Sequence, residues 1–585
     1  MTTADRSLSD GGSRALRWAW PALAVVLIAG LGLRLWGVRQ GLPYAYNTDE
    51  ADHFVPHAVK MFADGTLNPK YFANPPAFTY VLHLLFALWY GGGAGVRRAF
   101  ALHPEDVYTL ARVAVALLGT GALWLLYATG ARLCGRAVGV LAAAIEAVAF
   151  LPVFYAHLAL NDAPTLAPLT LSLLGTAGVA SKGRMRDYLL AGVGLGLACA
   201  TKYTAGIVLL PLLVAAGARY LDADDPAKRR VLTGLPAAGA IALAAFLVAN
   251  PYAVLDYHAF HAELVHQSTL SAESQGKLGA PKQGGLLYYL WSLTWGLGWA
   301  PALAALGGSL VVWRSNRRLG ALLVPATLLF LLFMGLQGRY FGRWLLPIFP
   351  LVCLLAAFFV VRLIAWITSL RHLPAAGRAA LAAVLVAALL AQGLLYSVHS
   401  GLVLSRSDTR TQTRDWMVAN IPAGSKIVVE PVAPNEWANE AKPGTSTASN
   451  PARWRKYASL RPRVSAVGVL EAEARPKVGI ENYETTLAPA LVGYYEANDY
   501  CWVVSGSTQS GRAFVDPRAV PQAVAYYEEL ARQGEVVYRA SPYARGHGPA
   551  SFGFDWSFDY YPLAYERPGP QMTVYRLHGG RCATH

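Results

Sequence analysis

The chain has 585 residues, of which 55% are hydrophobic and only 15% are charged, and its formal net charge is +15. Soluble domains carry about a quarter of charged residues, so this composition excludes an ordinary soluble protein. Lysines and arginines are scattered in short clusters between apolar runs, which argues against nucleic acid as a partner. The long apolar runs of the first 400 residues predict a multi-pass protein surrounded by membrane lipids.

Eleven apolar runs are candidates for membrane-crossing helices. They lie at 18–38, 107–129, 137–156, 163–180, 187–200, 203–220, 231–250, 285–313, 319–337, 344–366 and 379–399. The first run lacks a small-residue cleavage pattern and predicts an uncleaved anchor rather than a signal peptide. A further run, 77–90, has only about fourteen residues and suits a re-entrant or interfacial helix better than a crossing.

The basic clusters between these runs predict the orientation of the chain. If the N-terminus is cytoplasmic, the clusters at 132–136, 182–186, 228–230, 314–318 and 371–378 all face the cytoplasm, as the positive-inside rule requires. Counting the short run as a crossing would place these clusters outside. The chain is therefore predicted to lie in the cell membrane, with its polar outer loops and everything after residue 400 on the extracytoplasmic side.

The last part of the chain differs in character from the first. Residues 1–400 are predicted to form the membrane module, and residues 401–585 an extracytoplasmic α/β domain with β-rich runs at 426–432, 500–504 and 572–577. Cys501 and Cys582 could pair if this domain lies outside. Several aromatic residues could stack on sugars or could equally form the core of the domain. They are Trp437, Trp454, Tyr494, Tyr495 and Trp556.

Acidic residues occur where the lipid begins. Asp49 and Glu50 come just after the first apolar run, and the preceding Asn-Thr pair could cap a short helix there. Asp162 lies in a very short turn between two apolar runs, where a carboxylate is costly and usually functional. A solvated acid pair in a loop is the plain alternative for Asp49 and Glu50. Acids at two separate positions on one face favour a catalytic site that contains all three.

Cations occur on the same predicted face. Lys202 lies in a turn between two short apolar runs, and Arg339 and Arg343 bracket an aromatic pair that begins with Tyr340. A single arginine at a helix end is often a membrane-interface anchor, and this alternative stays open for Arg339. Together these residues would suit a phosphate held at the membrane, because arginine binds phosphate as a fork and lysine as a point charge.

Further residues of the outer loops are candidates for the walls of a substrate cavity beside the acids. The stretch "NPKYFANPPAFTYVL" at 68–82 places a rigid Pro-Pro pair before a short aromatic helix. The candidates are Tyr46, His53, Tyr71, Asn74, Pro75, His157 and Asn161. The nearby His258 and His261 have a spacing that could hold a metal, but surface histidines are the favoured interpretation.

Several motifs follow one another in a recognisable order. They are "PYAYNTDEADH", "YFANPPAFTYVLHLL", "HLALNDAPTLAPLTLSLL" and "TKY", followed by "GRYFGRWLLPIFP" and a polar outer segment. In this order they resemble the polyprenyl-phosphate-sugar-dependent glycosyltransferases that include the protein O-mannosyltransferases and the lipid A aminoarabinose transferase. The resemblance covers roughly the first 370 residues. Its most specific element is the Asp–Glu motif.

The resemblance implies a mainly α-helical GT-C fold, with about eleven membrane helices and juxtamembrane helices in the first outer loop at 39–106. It implies that Asp49 corresponds to the catalytic acid and Asp162 to the second acid of the cavity. Arg343 matches the family's Arg-Tyr-Leu-Leu-Pro pattern, although Trp replaces Tyr in this chain. Asn74 stands where the aminoarabinose transferases carry a lysine, so the phosphate contact is expected from Lys202 and the arginines.

The residues and the resemblance together predict an inverting glycosyltransferase. It would transfer a sugar from a polyprenyl-phosphate donor to an acceptor hydroxyl on a protein, a glycan or a lipid. Asp49 would act as general base and the cations would stabilise the departing phosphate. No cofactor is certain, but Asp49 and Asp162 could hold a divalent cation. A transporter or flippase for a lipid-linked or anionic substrate is the main alternative, and a scaffold protein is a weaker one.

Overall fold

The fold is that of a computed structural model. It describes residues 14–222, 224–272, 278, 284–370, 372–440, 450–461, 464–465, 468–469, 477–550 and 562–584.

The first half of the chain contains helices joined by loops and no strand among its described residues. Its helices are α1 (Arg14–Leu35), α2 (Thr48–Asp52), α3 (Phe54–Asp64), α4 (Ala77–Tyr90), α5 (Gly93–Leu102), α6 (Pro104–Cys134), α7 (Arg136–Val148), α8 (Phe150–Tyr155), α9 (Leu166–Ser181), α10 (Met185–Thr201), α11 (Leu209–Asp222, after a 3₁₀ turn at Tyr203–Val208) and α12 (Asp225–Ala249). The juxtamembrane helices α2 to α5 all lie in the first predicted outer loop.

The bundle continues to residue 404. Its remaining helices are α13 (Tyr252–Leu255), α14 (Tyr257–Ala272), α15 (Gly285–Leu293), α16 (Trp299–Ser315, after a π turn at Thr294–Gly298), α17 (Arg317–Gly335), α18 (Phe349–Ser369, after a 3₁₀ turn at Gly342–Ile348) and α19 (Ala375–Leu404). A helix therefore forms at each of the eleven predicted positions, and the runs 137–156 and 285–313 each contain a break within the helical stretch.

Not all of these helices are long enough to cross a membrane unaided. Within the described residues, eight helical stretches meet the length and hydropathy expected of a span, or nine if the pair α4–α5, bent by 92°, counts as one. The stretches α7–α8, α9 and α10 do not meet these criteria, so the count of eleven crossings stays a prediction. The fourteen-residue α4 ends at Gly91, where the chain turns sharply into α5.

The break between α7 and α8 is stabilised inside the bundle. Ala149 leaves the helical conformation, and the carbonyl groups before it lose their helical partners. The buried guanidinium of Arg34 donates to the carbonyl oxygens of Ala147 at 3.1 Å and Glu146 at 3.4 Å. Ser397 donates to the carbonyl of Val148 at 2.8 Å. These contacts allow the chain to bend into the 157–162 turn without orphaned backbone groups.

The basic turns between the helices meet at one end of the bundle. Arg132 lies 4.0 Å from Asp187, and Arg219 donates to the carbonyl of Lys182 at 2.7 Å. Arg318 forms an ion pair with Asp222. Three of the five basic turns, at 132–136, 182–186 and 314–318, thus pair with each other or with the turn that follows α11.

The C-terminal segment contains a small mixed sheet. Its helices are α20 (Thr409–Asn420), α21 (Ala490–Ala497), α22 (Ser507–Val515) and α23 (Pro521–Gln533), and its strands are β1 (Lys426–Val429), β2 (Arg455–Lys456), β3 (Val464–Ser465), β4 (Gly468–Val469), β5 (Trp502–Gly506), β6 (Glu535–Ala540) and β7 (Met572–Arg576). The main sheet has the order β2-β1-β5-β7-β6, in which β7 runs antiparallel to both neighbours. The domain boundary at residue 400 stays a prediction.

Alternate residues of β1 and β5 face two separate cores. Val428 and Val503 pack with α21 and α23 on one face, whereas Ile427 and Val504 pack with α20 on the other. The aromatic candidates Trp437, Trp454 and Tyr495 are fully buried, and Tyr494 is partly buried against the first core, so the core interpretation is the right one for these residues. Trp556 lies outside the described residues. Cys501 and Cys582 form a disulfide, with their Cα atoms 5.4 Å apart.

Candidate active site

Asp49 lies on the single turn of helix α2, immediately after the first membrane helix. The side chain of Asn47 caps this turn by accepting a hydrogen bond from the Glu50 N–H at 3.2 Å. Asp49 and His53 lie four residues apart on the same side of the turn, and the His53 Nε2 is 3.7 Å from a carboxylate oxygen of Asp49. The Asp49 carboxylate is the partly exposed acid of the site, since 37% of its side chain remains accessible.

Asp162 and Lys202 form a buried ion pair. Asp162 ends the 157–162 turn and is 3% exposed, and Lys202 ends helix α10 and is 9% exposed. The ammonium group of Lys202 donates directly to Asp162. Burial lowers the pKa of Lys202, and the adjacent Asp162 carboxylate opposes that shift. The ion pair therefore lies where helix α9 begins and helix α10 ends.

Arg343 links the two acids. Its Nη2 lies 2.5 Å from Oδ2 of Asp49, and its Nε lies 4.0 Å from Oδ2 of Asp162. The guanidinium also lies over the ring of Phe341, 5.2 Å from its centroid. Four segments that are far apart in the sequence thus bring Asp49, Asp162, Lys202 and Arg343 into one cluster, which we call the acid–cation cluster.

Glu50 is not in this cluster. It is 0% exposed and makes a bidentate ion pair with Arg112 of α6, with both N–O distances 2.7 Å. The same carboxylate accepts the Ala159 N–H at 2.7 Å, and Arg112 also donates to the carbonyl of Gln40 at 2.8 Å. Glu50 therefore joins α2 to α6 and to the 157–162 turn. This placement favours a positioning role over the predicted catalytic one.

The loop before α4 builds one wall beside Asp49. The ring of Tyr71 stacks on His53 at 4.6 Å and on His57 at 5.0 Å between ring centroids. Asn74 donates to the Tyr71 hydroxyl at 2.7 Å. Asn161 donates to the carbonyl of Thr201 at 2.6 Å and lies 3.5 Å from the side-chain oxygen of Asn74. The predicted cavity residues His53, Tyr71, Asn74 and Asn161 are therefore brought together near the acids.

Other predicted residues lie elsewhere. The hydroxyl of Tyr46 is 2.9 Å from that of Thr411, so Tyr46 contacts the C-terminal segment. His157 is buried, with its Nε2 2.9 Å from the carbonyl oxygen of Trp36. Tyr340 is buried against Tyr288, with ring centroids 4.7 Å apart.

The two remaining predicted site residues are Pro75 and Arg339. Pro75 is buried just before α4. The backbone N–H of Arg339 donates to the carbonyl of Ser271 at the end of α14 at 3.2 Å. The role of Arg339 at a phosphate stays a prediction.

Two residues that support the site were missing from the sequence interpretation. One is Arg112, whose position inside an apolar run is a recognisable signal of a buried partner. The other is Glu263 on α14, which accepts the backbone N–H groups of Phe72 and Ala73, the latter at 2.8 Å. Glu263 thereby fixes the loop that carries Tyr71. His258 and His261 are exposed on the same helix.

The described residues contain no group of three or more His, Cys, Asp or Glu side chains that could hold a metal ion. Asp49 and Asp162 are the two acids nearest to such a site, and Arg343 lies between them. A divalent cation at this position stays a prediction.

Comparisons with known proteins agree with the motif-based resemblance. Residues 73–253 match the family model of dolichyl-phosphate-mannose-protein mannosyltransferases, a region that includes Asp162 and Lys202. The fold is similar to that of the archaeal oligosaccharyltransferase AglB from Archaeoglobus fulgidus, with a TM-score of 0.53 at 13% identity over 92% of this chain and 75% of that chain.

A second similar structure is that of ArnT from Cupriavidus metallidurans in the apo state. It gives a TM-score of 0.48 at 14% identity over 96% of this chain and 98% of that chain. None of the curated proteins matches the sequence. The predicted resemblance to the lipid-phosphate-sugar-dependent glycosyltransferases and the predicted GT-C-like helical bundle are confirmed.

Proposed function

We propose that the protein transfers a sugar from a polyprenyl-phosphate donor to an acceptor hydroxyl, with inversion at the anomeric carbon. The observation that carries the proposal is the acid–cation cluster, in which a partly exposed carboxylate lies beside two cations at one end of a membrane bundle. A transferase of this kind needs a base for the acceptor hydroxyl and positive charge for the departing phosphate.

Asp49 is the general base of this proposal. Its carboxylate accepts the proton of the acceptor hydroxyl while the acceptor oxygen forms a bond to the anomeric carbon. Arg343 pairs with Asp49 at 2.5 Å. A donor phosphate offers Arg343 a second anionic partner. Binding of the donor would thus draw Arg343 toward the phosphate and leave the Asp49 carboxylate free to accept the proton of the acceptor.

Lys202 and Arg343 assist the departure of the phosphate. The bond between the anomeric carbon and the phosphate oxygen breaks, and its electron pair leaves with the lipid phosphate. That developing charge is stabilised by the Arg343 fork and by the Lys202 ammonium group, which Asp162 holds in position. Lys202 is buried and the Arg343 side chain is only 18% exposed, which strengthens this effect because few water molecules compete with the phosphate.

The fold-level comparison supports a lipid-phosphate donor. The archaeal oligosaccharyltransferase with the similar fold was solved in complex with an inhibitory peptide and a dolichol-phosphate. The matching family model describes enzymes that act with dolichyl-phosphate-mannose. The acceptor is proposed only as a hydroxyl of a protein, glycan or lipid.

A large cleft beside α2 is the proposed docking place of the acceptor. It has a volume of about 1060 Å³ and lies between the first outer loop and the C-terminal segment. Thr48 and Asp52 of α2 line this cleft, one residue from Asp49 and from His53 respectively. Glu436 and Lys456 line its opposite wall. The single turn of α2 therefore separates this cleft from the acid–cation cluster.

We place the cluster on the extracytoplasmic side of the cell membrane. The basic turns gather at the opposite end of the bundle, as expected for a cytoplasmic face. The disulfide between Cys501 and Cys582 suits an oxidising compartment for the C-terminal segment.

Release of lipid phosphate by the purified protein tests the proposal. The protein is reconstituted with a panel of polyprenyl-phosphate sugars and peptide, glycan and lipid acceptors. Asp49→Asn is expected to lower the rate by at least about 10²-fold, because a positioned general base contributes about 10²–10⁴. Asp106→Asn is the matched control, since Asp106 is an exposed acid of the same loop paired with Arg39 at 3.4 Å.

Retention of the wild-type rate by Asp49→Asn would refute the proposed base. Failure of the wild-type protein to release lipid phosphate from any donor, with movement of the intact donor between leaflets, would favour the flippase alternative. Product analysis of the anomeric configuration tests inversion separately, because a retained configuration is incompatible with a single displacement.

A further inference from the structure

The C-terminal segment contains a second cavity, of about 280 Å³, that the proposed reaction does not use. Its floor is one row of the sheet, in which Thr573 of β7 is paired with Ser505 of β5 on one side and with Arg539 of β6 on the other. Directly opposed residues of neighbouring strands project to the same face. Tyr575, two residues beyond Thr573, projects to that face as well.

Two helices form the walls of this cavity. Ser507, Ser510 and Phe514 are spaced at i, i+3 and i+7 along α22, so they form one stripe that faces the cavity. Tyr527 and Ala531, spaced at i and i+4, face it from α23. None of these residues belongs to the acid–cation cluster.

Most polar side chains of the cavity carry uncharged hydroxyl or amide groups. Its charged residues are Arg539 and Glu528, both exposed and of opposite sign, so the rim carries no net charge. The hydroxyl of Tyr527, which is only 7% exposed, interacts with the Glu430 carboxyl group beneath the cavity, so the ring of Tyr527 is held in place on the cavity wall.

Aromatic rings complete the lining. Phe514 lines the cavity and is 51% exposed, so its ring is accessible to a ligand. Tyr527 and Tyr575 provide two further rings. A ligand for this cavity must therefore be compact and uncharged, must both donate and accept several hydrogen bonds, and must have an apolar face for the rings.

We propose that this cavity binds one sugar residue of a glycan. A pyranose ring has hydroxyl groups around its edge and C–H groups on its faces, which fit the serine, threonine and aromatic side chains of the cavity. The volume lies just below the range of about 300–1,000 Å³ that is typical of pockets for larger ligands, as expected for a single ring. The site would hold a glycan on the C-terminal segment, apart from the reacting atoms.

An anion is the competing ligand, because the cavity lies at the N-terminal end of α22 and includes Arg539. Two observations oppose it. The carboxylate of Glu528 lines the cavity. The hydroxyl of Ser505 and the N–H of Gly506, which an anion would need, already donate to Glu430 at 2.9 Å and 2.8 Å. A neutral polyol avoids the repulsion that an anion would meet.

Saturation-transfer difference NMR on the full chain in lipid nanodiscs tests the proposal. Nanodiscs are needed because glucoside and maltoside detergents carry the proposed ligand. The probes are the methyl glycosides of mannose, glucose, galactose and arabinose, and inorganic phosphate, which has no C–H protons, is followed by its ³¹P linewidth as the anion probe. Ala531→Trp fills the cavity from an exposed helix position, and Gln522→Trp adds the same side chain to an exposed position of α23 outside the lining.

At least one glycoside is expected to give saturable transfer that falls at least tenfold in Ala531→Trp and is unchanged in Gln522→Trp. The proposal is overturned if no glycoside gives saturable transfer, or if Ala531→Trp binds as the wild type does. It is also overturned if phosphate alone binds and Arg539→Gln abolishes that binding. The assay needs no transfer reaction, so its outcome is independent of the fate of Asp49→Asn.

Discussion

At the scale of single residues, the neighbouring acids of the Asp–Glu motif have opposite environments. Asp49 keeps 37% of its side chain accessible and faces Arg343, whereas Glu50 is 0% exposed and faces Arg112. Consecutive residues of a helix project about 100° apart, so one turn can present one acid to a cavity and bury the next. The buried ion pair of Glu50 and Arg112 fixes the turn, and the Asp49 carboxylate stays accessible to a substrate.

The buried pair of Asp162 and Lys202 should show strong coupling. Lys202→Met leaves the Asp162 carboxylate without its closest cation, and loss of one partner of a buried pair costs about 3–5 kcal/mol of unfolding free energy. Arg343, 4.0 Å from Asp162, offers partial compensation, so the lower end of that range is expected. Thermal unfolding of the reconstituted protein measures the loss.

The double variant with Asp162→Asn and Lys202→Met provides the control. Removal of both charges leaves no uncompensated ion, so the double variant is expected to be more stable than Lys202→Met alone. Losses that simply add would mean that the two side chains do not interact in the folded protein. Both variants are expected to lose transferase activity.

At the scale of elements, the packing of helices α9 and α10 determines the distance between Asp162 and Lys202. These helices pack backbone to backbone through glycines: a Cβ on Gly175 would lie 2.3 Å from the Ala191 nitrogen, and one on Gly194 would lie 2.3 Å from the Ser172 nitrogen. Small residues allow such close packing in membranes, where lipid provides little apolar driving force between helices. The distance between the two charges therefore depends on residues without functional groups.

Gly194→Val is expected to separate these helices and to lower transferase activity strongly, although Gly194 contacts no substrate. The reason is that a Cβ at this position overlaps the backbone of α9. Gly121→Val on α6 is the matched control, because a Cβ there meets no atom within 4 Å. Equal activity of the two variants, measured as lipid-phosphate release, would contradict the proposed role of the glycine packing.

At the scale of the whole molecule, the redox state of the cysteines reports the orientation of the chain. Cys501 and Cys582 are paired, whereas Cys134, Cys199 and Cys353 are thiols. If the C-terminal segment lies outside, alkylation of intact cells followed by mass spectrometry should find the pair oxidised. Two reduced, alkylated cysteines in that segment would place it in the cytoplasm and reverse the proposed topology.

The stability of the C-terminal segment should depend on pH through Glu430. Burial raises the pKa of Glu430 to about 7 from its ordinary value of 4.5. Between these values the unfolded chain releases the proton and the folded chain keeps it, so stability falls as the pH rises; a shift of this size corresponds to roughly 3 kcal/mol. The segment should therefore unfold at a lower temperature at about pH 8 than at about pH 5.

Glu430→Gln should reduce that pH dependence, because glutamine keeps an acceptor and does not titrate. Part of the dependence should remain, since burial also raises the pKa of Glu484 to about 7. Tryptophan fluorescence during thermal unfolding follows both proteins. An unchanged pH dependence in the variant would show that Glu430 titrates alike in the folded and unfolded chains.

The sequence predicted best those features that depend on residues close together in the chain. A helix formed at each of the eleven apolar runs, because hydrophobic periodicity acts over neighbouring residues. Asp162, Lys202 and Arg343 were recognisable because charges are rare at the ends of apolar runs. Tyr46 and His157 were placed in the cavity by proximity in sequence, but Tyr46 contacts the C-terminal segment and His157 the backbone of Trp36.

Composition and charge pattern by themselves determined the membrane bundle, the grouping of the basic turns and the candidate acids and cations. They could do so because the transfer of apolar side chains out of water is a property of each residue and its near neighbours. Only the tertiary structure decided that Arg343 reaches Asp49, that Arg112 removes Glu50 from the cavity, and that three strands and two helices enclose a second cavity. The first two contacts join residues 294 and 62 positions apart, and the geometry of all three depends on how whole helices and strands pack.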